Sequence, residues 1–227
     1  MLQLIDRGKI YFYIALLLIL LSIHNLNSIN FLNNFFKIKK IHLITDIEKN
    51  LSEEIVASLN NFYNFNIFSI NSSEIHQILD DYNFIDEYKI RKEYPSVIKI
   101  ELKQTKILAY FFENSEKILI GENKKKIRNN EIDLDNLPFI VGKVNINEFF
   151  VLKKKLIENG FKLNDFDTFY FFKSKRWDLS YKDKIIVKLP INDIDFSLTL
   201  FRGMLENSSI QGVKVIDLRI KNSIIIS

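Results

Sequence analysis

The chain has 227 residues, a formal net charge of +4 from 32 Lys+Arg against 28 Asp+Glu, and 47% hydrophobic residues, a composition that folds rather than staying disordered. Zero cysteines exclude a disulfide framework, iron–sulfur ligation and thiolate chemistry; three histidines (His24, His42, His76) leave no His-rich metal centre. Neither G-x-G-x-x-G nor G-x-x-x-x-G-K occurs, and so small a positive excess makes no case for nucleic acid.

Ile10 to Ile23 (IYFYIALLLILLSI) carries no charge, and the uncharged run continues until Lys37. Ile10 to Phe31 is 22 residues, about 33 Å as a helix, roughly the hydrocarbon thickness of a bilayer. A cleaved signal peptide is the competing reading, but no small-x-small cleavage site follows the apolar core. The pattern is read as an uncleaved transmembrane anchor over residues 10–32, behind a tail of residues 1–9. Arg7 and Lys9 before it nearly balance Lys37, Lys39 and Lys40 after it. The short leader favours a single-pass, type II arrangement, with the N-terminus cytoplasmic and everything beyond the anchor exported.

Residues 36–104 read as a first exported domain. Lys37 to Ile44 suits a short strand. Ser52 can cap a helix that places Ile55, Leu59 and Phe62 on one face, and Asn71-Ser72-Ser73 precedes a second with Ile75, Ile78, Leu79 and Tyr82 in register. The period then switches to two. Tyr88 and Ile90 alternate with Lys89 and Arg91; Ile98, Ile100 and Leu102 alternate with Lys99, Glu101 and Lys103, across a turn at Glu93-Tyr94-Pro95-Ser96. The order β-α-α-β-β predicts a three-stranded sheet with two helices on one face.

That order is the order of POTRA modules. The segment Phe84 to Leu102 (FIDEYKIRKEYPSVIKIEL) resembles the first exported domain of the FtsQ/DivIB family of bacterial cell-division proteins. Phe84-Ile85, Arg91-Lys92, Tyr94-Pro95 and Ile98-x-Ile100-x-Leu102 follow the family's pattern in turn. Gln104 and Ile107 depart from it, standing where the family has Glu and Pro.

In the second exported domain, residues 105–227, Leu108 to Phe112 and Ile118 to Ile120 read as strands. Gly121-Glu122-Asn123-Lys124 replaces the family's Asp-x-x-Gly turn, whereas Leu137-Pro138-Phe139-Ile140-Val141-Gly142 matches its Leu-Pro-x-Ile-x-Gly element. A helix is expected from Asn147 to Asn159, with Phe149, Leu152 and Leu156 buried and Gly160 as its stop. Strands follow at Phe166 to Phe172, Arg176 to Leu179 and Ile185 to Leu189. A second helix, Asp193 to Asn207, carries Ile194, Leu198, Phe201 and Leu205 on one face. Val215-Ile216-Asp217-Leu218-Arg219 resembles the family's Val-Asp-Leu-Arg strand, and Ser223 to Ser227 is the terminal strand. The fold class is α+β: an N-terminal transmembrane helix, a POTRA-like β-α-α-β-β domain, then a mixed α/β domain with a mainly antiparallel sheet.

Single features are read plainly. Glu53-Glu54 and Asp80-Asp81 are adjacent on helices and point apart, so neither forms an acid/base dyad. No nucleophile motif occurs. His42 and His76 are not read as ligands, and Lys124-Lys125-Lys126 and Lys153-Lys154-Lys155 are read as solvated runs. Phe169 to Phe172 and Trp177 belong to the core. No enzyme activity and no cofactor are expected.

The resemblance implies a scaffold of the division machinery in the inner membrane at the septum, linking early and late division proteins. Its implied partners are FtsB-like and FtsL-like proteins, with other division proteins recruited through the POTRA-like domain. Ile224-Ile225-Ile226 is strongly β-prone and ends the last strand, and a sheet edge recruits partner strands. The expected FtsB-like docking site comprises Lys175, Arg176, Arg219, Ile220, Ser223, Ile224, Ile225 and Ile226. Arg219 would meet a partner carboxylate, and a proline at Ile225 would remove a donor from the edge. The alternative is a POTRA-bearing component of a secretion or outer-membrane assembly system. It calls for repeated POTRA units or a following barrel, and the sequence carries neither pattern.

Overall fold

A computed structural model describes residues 7–22, 33–128, 137–182, 184–207, 212–221 and 223–227. It divides into two compact units, Met1–Gln104 and Thr105–Ser227.

The first helix, α1 (Arg7–Ser22), has 16 residues, about 24 Å at 1.5 Å per residue, which falls short of the roughly 30 Å of hydrocarbon in a bilayer. Among the described residues, no helix is long and apolar enough to cross a membrane. The expected span of 10–32 therefore has only its first half in a described helix; residues 23–32, including His24, lie outside the described residues. Apolar side chains point outward all round α1, from Tyr11 and Phe12 to Leu20 and Leu21.

The remainder of unit 1 is built in the order β1 (Lys40–Thr45), α2 (Lys49–Ser58), α3 (Ser72–Asp80), β2 (Ile85–Glu93), β3 (Val97–Gln104). β3 lies in the middle of the sheet, parallel to β1 and antiparallel to β2. Its alternation puts Ile98, Ile100 and Leu102 into the core, with Ile41 beside Ile98 and Ile90 opposite Ile100. Ile55 and Leu59 from the α2 end, and Ile75 and Leu79 from α3, are buried in the same core.

Two boundaries differ from expectation. β1 begins at Lys40, because Lys37 instead bridges to Asn66. α2 begins at Lys49, and Ser52 is no cap: it lies within the first turn, its Oγ donating to the Lys49 carbonyl at 2.7 Å. Asn71 does cap α3, accepting from the Ser73 amide at 3.1 Å. His76 meets the Tyr88 hydroxyl at 2.9 Å, and that hydroxyl donates to Asp80 at 2.7 Å. Burial and the Asp80 carboxylate push the Tyr88 phenol up to about 12.

Among its described residues, unit 2 is a nine-stranded sheet with two long helices. Its elements are β4 (Ile107–Glu113), β5 (Glu116–Gly121), β6 (Lys126–Ile127), β7 (Phe139–Val141), α4 (Ile146–Glu158), β8 (Phe166–Phe171), β9 (Trp177–Tyr181), β10 (Ile185–Lys188), α5 (Ile194–Glu206), β11 (Val215–Asp217) and β12 (Ile225–Ile226). The strand order is β12-β11-β10-β9-β8-β7-β4-β5-β6. Parallel pairs occur at β10–β11, β4–β7 and β7–β8, and the other neighbours are antiparallel. Asn114 and Ser115, both at positive φ, close the two-residue turn of the β4–β5 hairpin.

α4 is capped by Asn145, whose side chain accepts from the Asn147 amide. It buries Phe149, Leu152 and Leu156, as expected, while α5 buries Ile194, Leu198 and Phe201. They join Phe166, Phe169, Trp177, Leu179, Val187 and Ile216 in one core. Lys155 pairs with Asp195 and Arg202 donates to the Asn159 carbonyl at 2.9 Å, tying the end of α4 to α5. Gly142 follows β7 at φ +112°, where an added Cβ would stand 2.2 Å from the Phe171 carbonyl oxygen.

Candidate partner-docking edge

At one end of the large sheet the residues are set by an alternation of charge across neighbouring strands. Asp178 on β9 stands opposite Lys188 on β10, and Lys188 stands beside Asp217 on β11. Two arginines complete the row. Arg176 Nε donates to Asp178 at 3.1 Å, with its guanidinium 4.2 Å above the Phe172 ring. Arg219 Nε donates to both oxygens of Asp217, at 2.8 and 2.9 Å. Burial pushes the Asp178 carboxyl above its ordinary value against the pull of Arg176, whereas the Arg219 hydrogen bonds hold Asp217 below it.

Beside this row lies a cleft of about 680 Å³, walled by Arg176, Leu218 and Arg219 on one side and by the start of α5 on the other. Ile191, Phe196 and Ile220 line it and leave much of their apolar surface exposed. Lys221 and Ser223 also line it.

Among the described residues, β12 is the outermost strand on this side of the sheet, paired with β11 alone. Its neighbour Ser227 exchanges two bonds with Val215, at 3.0 and 3.1 Å. By antiparallel alternation the backbone groups of Ile225 also face β11, across from Asp217, and those of Ile224 and Ile226 face outward. The side chains of Ile224, Ile225 and Ile226 are 43%, 51% and 52% exposed.

Of the residues singled out in the sequence, the fold gathers Arg176, Arg219, Ile220 and Ser223 around one cleft, with Ile224 to Ile226 along the edge. Lys175 goes elsewhere: it sits in the β8–β9 turn at positive φ, its ammonium 3.6 Å from Glu148 on α4. Arg219 is already engaged by Asp217, so a partner carboxylate would share it rather than find it bare. A proline at Ile225 would break the β11–β12 ladder; the outward donor belongs to Ile226. Ile191, Phe196 and Leu200 also line the cleft and are not among the residues singled out in the sequence. Phe196, an exposed apolar residue off the Ile194–Leu198–Phe201 stripe, is the signal that could have found them.

The lysine runs are largely neutralised within the unit, Lys126 by Glu113 and Lys153 by Glu122. Among the described residues, no group of three or more His, Asp or Glu side chains could hold a metal ion.

No protein-family model matches the chain. It is similar to the cell division protein FtsQ of Rickettsia bellii, 27% identical over 190 residues that cover 82% of this chain and 70% of that one. The FtsQ proteins of Rickettsia conorii and Rickettsia typhi are each 25% identical, over 190 and 184 residues, with 82% and 80% of this chain covered and 70% and 69% of theirs. Among solved structures, the major extracytoplasmic domain of the cell-division protein DivIB from Geobacillus stearothermophilus is 14% identical. Its TM-score is 0.33, over 49% of this chain and 98% of that one, too loose a superposition to carry weight. Along some 80% of its length, then, the chain is similar to the FtsQ cell-division proteins of these Rickettsia species.

Proposed function

We propose that this division protein is a non-enzymatic scaffold of the inner membrane at the septum, linking early and late division proteins by holding an FtsB-like partner of an FtsB/FtsL-type complex. In this reading residues 1–9 are cytoplasmic, 10–32 form the anchor, 36–104 are a POTRA-like recruitment domain for other division proteins, and 105–227 hold the partner. Support for the anchor comes from α1, apolar on every side: a helix of that kind needs an apolar surrounding. Exposing so many apolar side chains to water would be unfavourable at roughly 25 cal/mol per Å².

The observation that carries the docking role is the open outer side of β12 beside the cleft lined by Ile191, Phe196 and Ile220. An extended partner segment satisfies the outward N–H and C=O groups of Ile224 and Ile226 by adding a strand, and an apolar side chain from it fills the cleft. A partner carboxylate beside Arg219 fixes the register.

The test is co-purification of the membrane-solubilised chain with an FtsB-like protein. Ile226→Pro removes the outward donor and should abolish capture while circular dichroism stays native; Phe196→Ala should weaken it. Full capture by both folded variants would reject the docking edge.

A further inference from the structure

Unit 1 carries an exposed run of aromatic rings where the chain enters from its apolar N-terminal segment. Phe35 and Phe36 stand with ring centroids 5.2 Å apart, Phe36 and Phe68 5.0 Å, and Phe68 stacks on Tyr94 at 4.9 Å. Phe68 and Tyr94 are each 59% exposed and Phe35 46%, a contiguous apolar surface of a kind soluble proteins rarely present without a use. The run is held in place. The Ile67 amide donates to the Phe36 carbonyl and the Ile38 amide to the Phe65 carbonyl, both at 2.9 Å. The entry segment is thereby pinned to the loop that carries Phe68.

We propose that this aromatic ladder seats unit 1 on the bilayer that holds the anchor, with the rings at the headgroup level. The inference rests on the anchor reading above and goes beyond it by giving the unit a fixed face toward the lipid. Chain length argues for lipid rather than a protein as the occupant. If residues 10–32 span the hydrocarbon, Phe36 follows by four residues and stands at most about 14 Å from the hydrocarbon edge, since an extended residue covers no more than ~3.6 Å. Residues 33–35 are helical, which shortens the reach. The polar layer of a bilayer leaflet is itself about 5–8 Å deep, so the ladder begins in it or just outside it.

Charge agrees. The Lys39 amide is bonded to the Ser96 carbonyl at 2.9 Å, which lays the exposed Lys39 and Lys40 against the turn bearing Tyr94. Rings flanked by lysines suit an anionic lipid surface, where aromatics settle at the interface and cations meet the headgroups. Tyr94, with an apolar ring and a polar hydroxyl, is the residue type such belts favour.

The cysteine-free sequence makes the test direct. The full chain, with Phe68→Cys carrying an environment-sensitive NBD fluorophore, is reconstituted into phosphatidylethanolamine–phosphatidylglycerol vesicles; Tyr94→Cys gives a second, independent probe. Asp86→Cys, seven residues along β2 from Glu93, the strand end next to Tyr94, and hence about 23 Å from that end, is the reference. Labels at 68 and 94 should emit to the blue of the label at 86. They should be quenched several-fold more by lipids spin-labelled near the headgroup, and the effect should weaken without phosphatidylglycerol. Emission and quenching equal to those at 86, in chains that stay with the vesicles through alkaline washing, would overturn this inference and leave the anchor standing. Release by alkaline washing would overturn the anchor and this inference together. Shielding of 68 in native membranes but not in pure lipid would overturn it in favour of a protein partner.

Discussion

Two isoleucine-rich strands of this chain have opposite fates. In β3, Ile98 and Ile100 are 0% exposed, in the middle of the unit 1 sheet; in β12, Ile225 and Ile226 are 51% and 52% exposed, at the outer edge of the unit 2 sheet. The residue type and its β preference are the same, so the difference is positional. β3 has a strand on each side and helices over one face, whereas β12 has β11 on one side only. A buried isoleucine stabilises by the apolar area it removes from water, about 1.5–3 kcal/mol. An exposed one leaves that energy available to a partner.

The comparison is broken most sharply by making one substitution in both places. Ile100→Asp puts an unpaired carboxylate into the core of unit 1 and should cost at least about 4 kcal/mol, a large share of a whole stability of roughly 5–10 kcal/mol. Ile225→Asp should cost under about 1 kcal/mol, as surface changes do. Thermal unfolding of the two full-length variants, followed by circular dichroism and limited proteolysis, separates the cases; equal losses would overturn the assignment of β12 as an exposed edge. Next in size is Gly142→Ala. The positive φ and the Phe171 carbonyl both oppose a Cβ, and unit 2 should lose about 2 kcal/mol or more.

Lys99→Asp sharpens the β3 side. Lys99 is on the face opposite Ile98 and Ile100, a position at which the alternation alone predicts little cost. Its ammonium lies 3.5 Å from Glu101 and 4.0 Å from Glu93, so reversal gathers three carboxylates and should cost about 1 kcal/mol. A loss as large as that of Ile100→Asp would mean the register is wrong.

The smallest effect concerns acid. The Arg219 and Lys155 hydrogen bonds hold the folded carboxyls of Asp217 and Asp195 below their ordinary 3.8. Their contribution is complete above that value and is lost as pH falls through the lower folded values. Asp178 has the opposite sign: burial raises its carboxyl, so the folded state gains stability as pH falls through that raised value toward 3.8. Arg219→Gln should therefore flatten the acid limb of a melting-temperature profile below pH 4. Asp178→Asn should remove the gain just above it. Unchanged profiles in both would refute these pairings.

What the sequence makes legible follows from how local each cause is. The alternation of Ile98, Ile100 and Leu102 and the helical spacing of Phe149, Leu152 and Leu156 are decided within one element, and both stand in the structure. Asn71 is recognisable as a cap, but Ser52 looks equally suitable and is not one, since the helix starts earlier, at Lys49. The parallel pairing of β4 with β7 and of β7 with β8 joins segments far apart in the chain. No local pattern encodes it. The exposed sheet edge is legible at Ile224 to Ile226. The cleft beside it is not, because Ile191, just before α5, and Phe196, in its first turn, meet Ile220 only after folding. The ladder of Phe36, Phe68 and Tyr94 is hidden for the same reason.

Strand addition at β12 can be read from amide hydrogen exchange on the chain with and without the exported segment of an FtsB-like protein. The Ile225 amide should already be slow in the free chain, while the Ile224 and Ile226 amides should exchange fast and become slow on binding. Binding that leaves Ile224 and Ile226 fast and protects amides elsewhere would contradict it.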